Sequence, residues 1–281
     1  MQIEHHQAHL TYCSNIHPGE SWYKTFQNLK THTTQVRKGL TEEPFGIGLR
    51  LSHLASLELI KESKLYNFQV WLKKENMYVF TINGFPYGGF HHQSVKDAVH
   101  QPNWCTTDRL MYTKRLFLIL SALLPDGMDG GVSTSPISYR HWHRTEEELY
   151  DTKIIACEYF TELICFLKKL KDKTGKKLHL DLEPEPDGVI ETSQEFVSFF
   201  NDYLLPKAIP KIKNQFGIMD SEADEIIRTH FQMCFDVCHF AVGFEKSAEV
   251  LSRINNAGIN IGSIQISAAL GSGNIQNQTD S

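Results

Sequence analysis

The sequence predicts an α/β protein: a (β/α)8 TIM barrel, truncated to about seven βα units. Three observations lead there. β-type apolar runs recur seven times along the 281 residues, helically spaced segments follow most of them, and no Pro-, Gly- or Ser-rich linker divides the chain. Strands that alternate with helices pair in parallel through right-handed crossovers. Seven such units in one domain suit a barrel better than an open sheet.

The strands are expected at His9–Cys13, Phe45–Ser52, Met77–Gly84, Asp129–Pro136, Lys177–Pro184, Phe231–His239 and Ile259–Ser267. Helical spacing is clearest in SWYKTFQNLKTHTTQVRK, LASLELIKESKL, RLMYTKRLFLILSALL, TEEELYDTKIIACEYFTELICFLKKLKDK and SQEFVSFFNDYLLPKA. In the fourth segment Leu149, Ile154, Ile155, Tyr159, Leu163, Phe166, Leu167 and Leu170 form an apolar stripe opposite charged residues. It ends in KDKTGKK, where basic residues fill the last turn and a glycine follows, a normal helix stop. After SIQISAAL the chain turns small and polar in GSGNIQNQTDS. The expected domain is therefore 1–270, with 271–281 a polar, disordered tail. An open parallel edge is an aggregation hazard, so the sequence reads as stopping short of an eighth unit rather than as a finished seven-stranded sheet.

Composition excludes several classes of function. Apolar content of 41% and charged content of 22% are those of an ordinary globular protein. A net charge of −5 gives no electrostatic reason to bind nucleic acid or an anionic membrane. MQIEHHQAHL has no apolar signal-peptide core, and the longest apolar run, LFLILSALL, is too short to span a bilayer. Six cysteines without a CxxC pair read as reduced thiols, so the expected compartment is the cytoplasm. The cysteine pair Cys234 and Cys238 reads as packing, and His5, His6 and His9 as a solvated segment.

In a barrel of this class the chemistry sits where strands end. That rule selects His17 after the first strand, Asn83 at the third, Ser133 and Thr134 in the fourth and Glu183 at the fifth. At the sixth it selects Asp236 and His239, and near the end of the seventh Gln265. Strand alternation adds a second filter. His179, Asp181 and Glu183 share one face, Gln232, Cys234 and Asp236 another, and Ser263, Gln265 and Ser267 a third. Polar groups enclosed by a barrel must be hydrogen-bonded or metal-bound. Glu183, Asp236 and the amide oxygen of Gln265 can converge on one divalent ion. Oxygen donors suit Mg²⁺ or Mn²⁺, and an added imidazole shifts preference toward Mn²⁺, Fe²⁺, Co²⁺ or Zn²⁺. Glu183, Glu185, His239 and His17 are the candidate acid–base and substrate groups. The Gly- and aromatic-rich loop FPYGGFHHQ, which contains His91, is expected over the barrel mouth, shaping the substrate pocket, and Asn83, His91 and Thr134 are candidate substrate contacts. Each of these residues also has a plain structural reading: Glu-Pro-Glu-Pro as a kinked loop, Asp236 as a helix cap, His239 as a core histidine.

On LDLEPEPDG and CFDVCHFA the chain resembles the xylose isomerase-like barrel superfamily, which places a metal-binding Glu at one strand end and a D-x-x-H element at the next. The resemblance implies that Glu183 and Asp236 bind metal and that His239 contacts substrate. Where that superfamily brings a metal-binding His and, from its eighth strand, a Glu, this sequence has Gln265 and no visible eighth strand. Over most of its length, through TYCSNIHPGESW, NGFPYGGFHHQSVKDAVHQPNW, STSP, LEPEPDG, DVCHFAVGFE and QISAAL, it is similar to the EboE family of bacterial metabolite traffic proteins. That likeness implies a small metabolite precursor as ligand and products of the same gene cluster as partners. The implied activity is a metal-dependent isomerase or epimerase. The alternative is a non-catalytic metabolite-binding barrel that has lost the full metal set. Cleavage of damaged DNA fits poorly, because the chain lacks the basic surface that phosphates require.

Overall fold

Among the described residues seven strands form one parallel sheet in the order β1 to β7: Thr11–Cys13, Phe45–Arg50, Met77–Asn83, Gly130–Thr134, Leu178–Leu182, Phe231–Asp236 and Ile261–Gln265. The computed structural model describes residues 1–3, 8–89 and 96–268. Each strand pairs with its sequence neighbour, and the sheet curls so that Gly262 of β7 lies against Asp181 of β5. Among the described residues β1 and β7 do not pair with each other. All seven expected strands are present. The polar tail 271–281 lies outside the described residues.

The outward faces of the strands carry Ile47, Leu49, Val132, Leu180, Leu182, Met233 and Phe235, each buried under the helical layer. Phe160, Phe196, Phe199 and Phe200 crowd around Phe231 at the start of β6, with ring centroids 5.0 to 6.5 Å from it. Phe160 comes from the helix Glu146–Thr174, whose start is fixed by its sequence: the Thr145 hydroxyl accepts from the Glu148 amide at 3.1 Å, and three glutamates fill the first turn. Gly175, at φ 72°, ends it in the left-handed conformation that glycine adopts freely. The face this helix buries differs from the stripe read in the sequence. Leu163 and Leu167 are buried as expected, but Ala156, Cys157, Phe160 and Ile164 complete the contact, while Ile155 is 40% exposed. Small residues let the helix lie close to the sheet, and the larger aliphatics flank the seam. The helices Asp220–His230 and Ser247–Asn256 were not among the clear periodic segments. Each is short and amphipathic, burying Ala223 with Ile227 in the first and Val250 with Ile254 in the second.

β6 is three residues shorter than the sequence suggests. It stops at Asp236, and Val237–Val242 is helical. Asp236 is the cap: its Oδ1 accepts from the Cys238 amide at 3.0 Å. The six cysteines are free. Among the described residues no helix is long and apolar enough to cross a membrane.

Candidate active site

The carboxyl ends of β5, β6 and β7 bring their inward side chains to one place. Register sets Ser133 beside Asp181, Cys234 beside Ser263 and Asp236 beside Gln265. Glu183, one residue beyond β5, is 4% exposed, and Asp236 is 5% exposed. The Cys234 thiol donates to Glu183 Oε2 at 3.8 Å, and the Gln265 amide nitrogen approaches Cys234 Sγ at 3.3 Å. Gln265 also hydrogen-bonds Glu183. Across this group stands His239, with Nδ1 3.7 Å from Glu183 Oε1 and Nε2 4.0 Å from Asp236 Oδ2. Its Nδ1 also lies 3.1 Å from the Pro184 carbonyl. Glu183, Asp236, Gln265 and His239 are therefore brought together, as strand parity anticipates.

Electrostatics follow from burial. Burial, reinforced by the charges of Glu185 and Asp236, pushes the Glu183 carboxyl well above the usual range, and hydrogen bonds from Gln265 and Cys234 offset only part of this. Burial beside Glu183 pushes the Cys234 thiol up as well, so it is a protonated donor rather than a thiolate. Two enclosed carboxylates, with no Lys or Arg ion pair to either among the described residues, form the donor set that a divalent ion would satisfy. Among the described residues Asp236, Cys238 and His239 each offer one ligand atom, all within 4.8 Å of one another.

The remaining sequence candidates are distributed around the same end of the barrel. Glu185 Oε1 pairs with the buried His100 Nε2 at 3.0 Å. Tyr139, Trp142 and Phe85 surround the His100 imidazole. His17 Nε2 meets the Tyr12 hydroxyl at 2.9 Å, and its ring stacks on His32. Asn83 Oδ1 accepts from the Phe85 amide at 3.3 Å, turning the chain at the end of β3. Thr134 is buried, and its hydroxyl accepts from the Trp104 indole at 2.9 Å, so it ties the loop after β3 to β4. His91 lies outside the described residues, as do His5 and His6. His9 packs on Tyr78 and Phe80 instead of standing free in solvent.

Three features escaped sequence reasoning. His100 is 85 positions from its partner Glu185, and no local pattern joins them. Cys238 reads as packing while the strand is drawn through it. Deeper in the barrel His179 Nδ1 meets Asp181 Oδ1 at 2.5 Å, and Asp181 Oδ2 is buried without a hydrogen-bond partner among the described residues. Strand alternation puts His179 and Asp181 on the inner face but says nothing of their pairing.

Known structures place this architecture. A D-tagatose 3-epimerase-like protein superposes with a TM-score of 0.53 and 12% identity, over 92% of this chain and 75% of its own. The fold is of the TIM-barrel type, with seven parallel strands in a curled, incomplete barrel. Also similar are the 3-keto-D-glucoside 4-epimerase YcjR from E. coli (TM-score 0.46, 13% identity, 82% of this chain and 71% of that one) and a xylose isomerase-like TIM barrel protein from Mycobacterium smegmatis in complex with magnesium (TM-score 0.41, 15% identity, 83% and 79%). At such identities the likeness defines the fold and not the reaction. No protein-family model matches the sequence, and no curated protein matches it.

Proposed function

We propose that this barrel is a metal-dependent isomerase or epimerase of the EboE type, acting in the cytoplasm on a small hydroxylated or carbonyl-bearing metabolite precursor. The observation that carries this reading is the convergence of Glu183, Asp236, Gln265 and His239 where β5, β6 and β7 end. Glu183 and Asp236 supply oxygen donors, and half a rotation of the Gln265 amide presents its oxygen to the same point. A divalent ion bound there would polarise a substrate carbonyl and its neighbouring hydroxyl. Proton transfer at the adjacent carbon falls to the chain's own groups: Glu183 and Glu185 as carboxyl acid–bases and His239 as substrate contact. His17, Asn83 and Thr134 belong to strand ends and loops that would frame the substrate, and His91 is proposed as a further substrate contact. The motifs shared with the EboE family support the precursor assignment and point to products of the same gene cluster as partners.

The test is deuterium exchange. Metal-loaded protein is incubated in D2O with a panel of ketoses and keto-sugars, and the α-carbon proton is followed by NMR. Exchange that Glu183→Gln abolishes supports the enzyme. Saturable binding without exchange gives the site to a metabolite-binding barrel instead. One observation favours that second reading: as it stands, Gln265 directs its amide nitrogen to Cys234 and hydrogen-bonds Glu183, rather than offering a ligand.

A further inference from the structure

The turn that ends β6 presents three donor types in four residues. Asp236 closes the strand, and Cys238 and His239 lie in the first turn of the helix that follows. One ligand atom from each lies within 4.8 Å of the other two. Their hydrogen bonds orient them toward a common point. His239 Nδ1 faces the Pro184 carbonyl at 3.1 Å, and a carbonyl only accepts, so Nδ1 carries the proton. The Nε2 lone pair is left facing Asp236 Oδ2 at 4.0 Å. Asp236 Oδ1 is engaged by the Cys238 amide and by the Ser267 hydroxyl from beyond β7, and the Cys238 thiol also hydrogen-bonds Asp236, which holds the sulfur at the carboxylate. A histidine whose second nitrogen donates to a backbone carbonyl is the usual arrangement around a protein-bound metal.

We propose that the Asp236–Cys238–His239 turn is itself the ion-binding element and that it selects Zn²⁺ over Mg²⁺ or Mn²⁺. Thiolate, imidazole and carboxylate together suit zinc, whereas magnesium and manganese take mainly oxygen. Three protein ligands leave a fourth position for substrate or water. Zinc uptake replaces the Cys238 thiol proton, which is released to solvent. The inference rests on the proposed metal dependence of the barrel but changes the residues that hold the ion. Cys238 enters, His239 becomes a ligand, and Glu183 and Gln265 stand beside the ion rather than on it.

Cobalt(II) is the probe, because a thiolate bound to it gives a charge-transfer band in the near ultraviolet that oxygen donors do not. The chelator-treated 281-residue chain is titrated with Co²⁺, then with Zn²⁺ in competition, and circular dichroism verifies that each variant is folded. The band is expected in the unmutated chain and in Cys234→Ala, and absent in Cys238→Ser. Zn²⁺ should displace the cobalt, and Mg²⁺ should not. Zinc affinity should fall at least about 100-fold in Cys238→Ser and in His239→Gln, the upper end of what loss of an outer-sphere partner costs. Zinc should also shield Cys238 of the unmutated chain from iodoacetamide, read by mass spectrometry, a measurement that needs no variant. Cobalt bound without the band, a band that survives Cys238→Ser, or unchanged zinc affinity in His239→Gln overturns the assignment while leaving a metal-dependent barrel with oxygen donors. A folded chain that takes up neither cobalt nor zinc removes both readings.

Discussion

Acidification tests the packing at the closed end of the barrel, far from the candidate site. His230 ends the helix that leads into β6 and is 1% exposed. Its Nδ1 lies 2.6 Å from the Leu178 carbonyl, so that nitrogen carries a proton and the ring is a neutral donor. Burial, assisted by the positive charges of Lys171 and Lys168, lowers its pKa from 6.5 to about 4, even though the Leu178 bond works the other way. The folded protein therefore holds the ring neutral over a range in which the unfolded chain protonates it. The stabilisation is complete above pH 6.5 and is lost as pH falls toward 4. A difference of this size corresponds to about 3 kcal/mol over that window, or roughly 6 °C in Tm for a chain this long. The assay compares Tm of the unmutated protein and His230→Asn at pH 7.5, 6, 5 and 4. Asparagine keeps a donor for Leu178 but does not titrate, so the variant should start less stable and then lose less on acidification. Glu183 titrates in both proteins and at the opposite end of the barrel, so its contribution cancels in the difference. Parallel Tm curves would refute a buried neutral His230.

Two further substitutions address the interior. A Cβ on Gly131 would sit 2.4 Å from Asp181 Oδ2 and 2.6 Å from His179 Cε1, inside a fixed pair. Gly131→Ala should therefore cost about 3 kcal/mol by overpacking, and a urea denaturation loss below about 0.5 kcal/mol would show that Asp181 is free to move. Arg109 is fully buried and holds the carbonyls of Pro102, Gly84 and Phe85 at 2.7 to 2.9 Å, while burial lowers its pKa to about 10. Arg109→Lys keeps the charge but loses the planar fork, so about 3 kcal/mol of stability should go, with faster hydrogen exchange at Phe85 and Cys105. Unchanged exchange there would mean that the loop after β3 does not depend on Arg109.

The sequence and the structure agree wherever an alternation of period two was enough. Glu183, Cys234, Asp236 and Gln265 could be assigned to one interior because each lies on, or one residue beyond, a strand whose inner and outer residues differ in polarity. They diverge where a strand gives way to a helix. CFDVCHFAV carries β-branched, aromatic and sulfur side chains that suit an extended strand as well as a helix, so nothing local marks Asp236 as the last strand residue. That boundary decides the chemistry. In an extended strand Cys238 would lie nearly 7 Å along the chain from Asp236. A helical turn beginning at Val237 folds Cys238 and His239 back over the carboxylate, within 4.8 Å of one another. The cap that starts this helix and the latch from Ser267 that holds it are thus what place a thiol and an imidazole beside the carboxylate. Ser267→Ala should loosen that latch and weaken zinc binding by about 10-fold without removing a ligand, in the range of outer-sphere losses. Titration of the variant against the Co²⁺ band measures it. An unchanged affinity would show that the turn holds its donors without help from the segment after β7.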